Sequence, residues 1–194
     1  MLRTVIGSLS LIGCLGVMAA ETPAPAAGGP AVANLREQAD ELFKITSNHC
    51  IDKIDIPAQI VEGLKGYKAA PPVMTSTFLQ DGQGQAWFVP GAHGVYAIAL
   101  TQDNSYCKAF AKTAGQNEVL ERVAQVVKTP PVGFTARKIG EDSQNVSGGV
   151  LRSATYRLER KEGGLPSILI VVETNSAPRA PFKASVKVAP QQPR

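Results

Sequence analysis

Few side chains in this chain could do nucleophilic or metal chemistry. Three cysteines, Cys14, Cys50 and Cys107, and two histidines, His49 and His93, are all that 194 residues contain of those types. His49 stands directly before Cys50 in "SNHC". A Cys50 nucleophile with His93 as its base would require a free thiol that ionises, and would leave Cys107 unpaired. A zinc site would require three or four converging protein ligands. Adjacent residues on a helix diverge, so His49 and Cys50 do not make a ligand pair by themselves. A histidine at the end of a helix is more simply read as a cation favoured by the partial negative charge there.

Other chemistry-bearing patterns are missing. There is no CxxC for thiol exchange and no CxxCH for haem attachment. No GxSxG or SxxK gives a serine nucleophile its context. The glycines of "DGQGQ" and "NVSGG" fall between strand-like pieces rather than between a strand and a helix, so they read as turns, not phosphate loops. "EDSQN" lacks the spacing and closing glutamate of an EF-hand and reads as a solvated loop. The sequence therefore assigns no catalytic residue, no metal ligand and no cofactor.

The first residues decide how the cysteines are read. "MLRTVIGSLSLIGCLGVMAA" has Arg3 as its one early charge and an apolar or small-residue run after it, the pattern of a secretory signal peptide over residues 1–20. Small residues place cleavage after Ala19 or Ala20. The "LIGC" ending at Cys14 offers an alternative, a lipid-anchored envelope protein acylated on that cysteine. With the signal removed, Cys50 and Cys107 remain, and in an oxidising compartment they are expected to form one disulfide. Closing a loop of that length stabilises a fold by about 4 kcal/mol in the chain-entropy model. The expected location is periplasmic or secreted.

Composition narrows the partners. The apolar fraction is 44% and the formal charge +4. That is an ordinary globular chain with a modest basic excess, without the dense basic face of a nucleic-acid binder.

The elements that must position these residues follow from periodicity. "ETPAPAAGGPAVA", residues 21–33, has the composition of a flexible or extended tether. Asn34 offers an N-cap with Glu37 three residues on, and Leu35, Ala39, Leu42, Phe43 and Thr46 share one helical face. That helix delivers His49 and Cys50 in its last turn. Asp55 followed by Pro57 marks a second helix carrying Ile56, Ile60, Val61 and Leu64, ending at Gly63 or Gly66. "YKAAPPVM" reads as a connection, and "STFLQDGQGQAWFVP" as a hairpin. Residues 95–100 are apolar on both faces, as in a central strand, and 106–111 return with Cys107 among them. A bond from there would pin the first helix to the sheet. Residues 117–128 form an amphipathic helix through Val119, Leu120, Val123, Ala124 and Val127. Strands are expected at 133–139, 150–160, 167–174 and 182–188, with Phe182, Ala184, Val186 and Val188 on one face of the last. "APQQPR" is a loose tail, and the folded domain spans 34–189.

The stretches "LFKITSNHC", "AWFVP" and "YCKAF", following a signal and an Ala/Pro-rich tether, resemble small, uncharacterised secreted (periplasmic) proteins of proteobacteria over about residues 35–127. The resemblance implies a periplasmic α+β domain with a helix-to-strand disulfide, and it transfers no activity.

The reading is therefore α+β: a single domain with two N-terminal helices and one later helix packed on a mostly antiparallel β-sheet. Trp87 and Phe88 are neighbours on a strand and must face opposite layers, so one of them is a candidate contact residue. Arg152, Arg157 and Arg160, with Lys183 and Lys187, form a candidate basic face. The expected function is a non-catalytic periplasmic binding or accessory protein, a small subunit of a larger cell-envelope complex. The partner would be another envelope protein or an anionic envelope component, with no nucleic acid and no transmembrane span. The alternative is a small periplasmic enzyme using Cys50 or His93.

Overall fold

A computed structural model describes residues 33–80, 82–162 and 166–191. The readings of residues 1–20, Cys14 among them, of 21–32 and of 192–194 fall outside the described residues. Four helices are found among those described: α1 (Ala33–His49), α2 (Pro57–Leu64), α3 (Pro72–Leu79) and α4 (Gln116–Lys128), with a 3-10 turn at Ile51–Lys53. The strands are β1 (Lys68–Ala69), β2 (Gly84–Pro90), β3 (Val95–Thr101), β4 (Cys107–Ala111), β5 (Phe134–Val146), β6 (Gly149–Arg160), β7 (Ser167–Asn175) and β8 (Ala184–Gln191). They make one sheet in the order β1-β2-β3-β4-β8-β7-β6-β5, and every paired neighbour is antiparallel.

The expected α+β class holds, and the sheet is more uniform than expected. The helix count differs. "PVMTSTFL", taken as a connection and half of a hairpin, is helix α3. Pro72 occupies its first position, where a missing N–H costs nothing, and Gln80 in the left-handed conformation ends it. Only residues 84–90 of the expected hairpin are strand.

Period-two alternation divides the sheet into two faces. On the first, Trp87, Val89, Tyr96, Ile98, Leu100, Tyr156, Leu158, Ile168, Ile170, Val172, Val186 and Val188 meet Leu42, Phe43, Ile60, Leu64, Val119 and Val123 from the helices in the main core. On the second, α3 lays Phe78 and Leu79 over Ala86, Ala97, Ala99 and Phe110. The three alanines remove side-chain bulk where the helix crosses. β3 from Tyr96 onward and β4 are covered on both sides, which is why residues 96–100 are apolar and all five residues of β4 are buried. Among the described residues no helix covers the second face of β5–β8, and β7 alternates buried with half-buried residues.

Local readings also shift. Asn34 lies within the first turn of α1, where its side-chain oxygen accepts a bond from Gln38, and Glu37 pairs with His93 rather than reaching back to a cap. Asp55 does not cap α2; Ile56 is the N-cap residue, and the Asp55 carboxylate pairs with the Arg160 guanidinium. Ile56 is 53% exposed while Ile60 and Leu64 are fully buried, so the expected stripe begins one turn late. "EDSQN" is exposed as expected yet belongs to β5, the edge strand, which continues to a tight turn where Gly148 takes a positive φ of 78°. A bulge at Ile139 and the pair Lys138–Glu141 break up this edge, a common guard against strand-to-strand association. β8 begins at Ala184, so Phe182 escapes the alternation and packs on the opposite face with Phe78 and Phe110. No helix among the described residues is long and apolar enough to cross a membrane.

Candidate functional site

Cys50 and Cys107 form a disulfide between the end of α1 and the start of β4. Both residues are fully buried. In this bond Cys50 presents no thiolate, so its neighbour His49 has none to activate. The His49 ring meets Tyr67 edge-on at 6.0 Å and its Nδ1 is buried without a partner. Burial, helped by the Lys53 charge, pushes its pKa below the ordinary value. This corrects the expectation of a helix-end cation: burial and the Lys53 charge both disfavour the charged form.

His93 lies elsewhere. It sits in the β2–β3 loop, with its Nδ1 3.2 Å from Glu37. The adjoining backbone N–H groups of Ala92 and His93 donate to the two carboxylate oxygens of Glu41 at 2.8 and 2.9 Å. Partial burial by itself would raise the Glu41 pKa; these two bonds, with Tyr96 and the His93 charge, outweigh it and hold the carboxyl below its usual value. Burial and the Glu41 charge push the Tyr96 phenol strongly upward. Gly91 is required here, because a Cβ would stand 2.3 Å from the Tyr96 ring. Arg122 pairs with Asp40 at 2.8 Å and covers the Phe43 ring. Glu37, Asp40, Glu41, His93 and Arg122 are thus each engaged with a partner in this cleft. Glu41 precedes Cys50 by more than two helical turns, ~13 Å along α1. Cys50 and His93 are not brought together. No group of three histidine, cysteine or acidic side chains among the described residues is placed to hold a metal.

The candidate contact residues divide between the faces. Trp87 is buried in the main core, and Phe88 is half-buried on the second face. Arg152 and Arg160 turn to the helix side: Arg152 donates to Asn117 at 2.8 Å, and Arg160 binds Asp55 and stacks on Phe134. Arg157 faces the other way with Glu159, 3.9 Å from it. Lys187 lies over the Tyr106 ring at 4.2 Å on that second face, and Lys183 donates its ammonium to the Ala177 carbonyl. One continuous basic face is therefore not formed. Phe88 and Lys187 do share a face.

What surrounds Phe88 is the most distinctive surface feature. Phe78, Phe110 and Phe182 form a triangle of rings with centroids 4.9–5.0 Å apart, and Phe88 meets Phe78 edge-on at 6.4 Å. Such tilted and edge-to-face packing fixes the rings as rigid walls. Beside them opens a cavity of about 230 Å³, with Ala97 among its lining and Met74, Val95, Pro181 and Lys112 around it. Among the described residues Lys112 is the only charged side chain in that lining. Val73 is 80% exposed, Met74 39% and Val95 56%, so an exposed apolar rim continues the cleft outward.

Sequence reasoning selected Phe88 but missed Phe78, Phe182, Met74, Val95 and Lys112. The signal was present in the double proline before "VMTSTFL": a proline at the first helical position places Met74 and Phe78 four residues apart on one helical face. Comparison of the chain with family models, with curated proteins and with solved structures finds no match.

Proposed function

We propose that this chain is a non-catalytic binding protein of the cell envelope, an accessory component that attaches to a larger assembly through the aromatic cleft beside Phe88. The observation that carries the reading is the cleft itself: rigid aromatic walls, an open apolar cavity and exposed Val73, Met74 and Val95 around it. Exposed apolar patches of this kind mark contact sites in soluble domains. The envelope address rests on the signal-like first residues, and a buried disulfide is in keeping with it.

The test is the size at which the protein migrates in a native gel of gently solubilised envelope. Wild type is expected in a larger complex. Val95→Lys, a change at an exposed rim position, is expected to release it to its free size, while His93→Ala leaves the complex intact. Retention of the Val95→Lys variant in the complex would remove the cleft from the reading.

A further inference from the structure

The dimensions of the cleft limit its occupant. At about 230 Å³ it falls below the roughly 300–1,000 Å³ of sites that enclose whole small ligands, and it suits one aromatic or branched apolar side chain. A ligand confined to the cavity would also leave the exposed apolar rim in water. A partner protein covers both, with an anchor side chain in the pocket and surrounding contacts that exclude solvent.

Charge selects the composition around the anchor. Among the described residues no carboxylate lines the cleft, and Lys112 stands exposed in its lining. Lys68 pairs with Phe88 across the strands and so lies on the same face, exposed. Lys187 occupies that face on β8. Glu173, in register with Ser185 and thus with Phe110, is engaged by Lys108. The surface around the cleft is positive, and a complementary partner is negative.

From these observations we infer that the cleft takes up one phenylalanine or leucine side chain of a partner protein, carried on a segment whose flanking residues are aspartate and glutamate. This rests on the binding reading above. It adds the class of partner segment.

The probes are end-blocked peptides, Glu-Glu-Phe-Glu-Glu, Lys-Lys-Phe-Lys-Lys and Glu-Glu-Ala-Glu-Glu, with phenylacetate as a small-molecule control. They are titrated into the full disulfide-bonded chain while the methyl resonances of Met74 and Val95 are followed. The acidic phenylalanine peptide is expected to shift both resonances and to bind about tenfold or more tightly than the basic one, with affinity falling as salt is added. The alanine peptide is expected not to bind, and Lys112→Glu is expected to reverse the charge preference. Equal binding of the two phenylalanine peptides would overturn the acidic partner and leave the cleft reading standing. Phenylacetate binding as tightly as the acidic peptide would overturn a protein partner. No shift at Met74 or Val95 with any probe would overturn both readings. Val95→Lys, checked for an unchanged fold by circular dichroism, is expected to abolish peptide binding; survival of binding would place the peptide outside the cleft and overturn the inference.

Discussion

Lys108 and Glu173 are 65 residues apart in sequence and joined at 2.6 Å across β8, the lysine side chain 7% exposed and the glutamate 33%. Ser185 donates a further bond to the same carboxylate oxygen at 3.1 Å. Burial alone would raise the Glu173 pKa; the hydrogen bond and charge of Lys108, with Ser185 and Lys187, bring it below the usual value. Removing one partner leaves the other charge poorly solvated. Lys108→Met is therefore expected to cost about 3 kcal/mol, at the low end for a broken buried pair because Glu173 keeps some water. The double variant Lys108→Met, Glu173→Gln is expected to recover much of that loss. Urea unfolding of these two and of Glu173→Gln closes the cycle, and a double-variant loss equal to the sum of the two single losses would show that the pair is not coupled.

Among the described residues four carboxylates are depressed, and their share of the pH dependence of stability is carried by the two that are not fully exposed, since Asp103 and Glu141 lie open to water. Glu41 and Glu173 both have folded pKa values lowered from 4.5. Their contribution is complete above the unfolded value and is lost as pH falls through the folded values. Denaturation midpoints are expected to start falling as pH drops below about 6.5, where the unfolded chain protonates His49 ahead of the folded one, and to fall more steeply below about pH 5. Glu41→Gln should flatten part of the drop. An unchanged acid slope in that variant would show that the Ala92 and His93 N–H groups do not bind the carboxylate in solution.

The disulfide is expected to act through stability alone. Cys50→Ser and Cys107→Ser should each destabilise by similar amounts, about 2–5 kcal/mol, and the double variant by little more than either. Both residues are fully buried, so thiol reagents should label neither after mild reductant without denaturant. Rapid labelling would contradict the buried placement.

Two isoleucines of one helical turn are expected to behave differently. Ile60 is fully buried and Ile56 is 53% exposed. Ile60→Ala should cost about 2–5 kcal/mol, and Ile56→Ala less than about 0.5 kcal/mol. Comparable costs would mean that the start of α2 is packed against something in solution.

Elements with one buried and one wet face were legible in the sequence. α4 and the strands 150–160 and 167–174 lie within a residue or two of their expected bounds. The failures have local causes. "STFL" combines strand-forming residues with a helix of only eight, too short for its periodicity to stand out. "EDSQN" is a stretch of the edge strand β5 without apolar residues, so it carries no alternation to detect. Phe182 was assigned by extrapolating a strand two residues beyond its start. The basic face failed for a reason the sequence did contain: Arg152 and Arg160 have the opposite parity to Arg157, and a regular strand sends them to opposite faces. The cleft was half legible, since adjacency separates Trp87 from Phe88. Its other wall comes from α3 and the segment before β8, which only the tertiary fold brings together.

β8 lies between β4 and β7, in the middle of the sheet, and supplies Val186 and Val188 to the main core. The ladder joining the two halves of the molecule closes only when that strand arrives. Until then β4, buried throughout in the finished fold, offers a bare edge, and the native architecture waits on pairings distant along the chain. Folding cannot be completed from the front before β8 has been made. The topology itself makes closure of the sheet wait for β8.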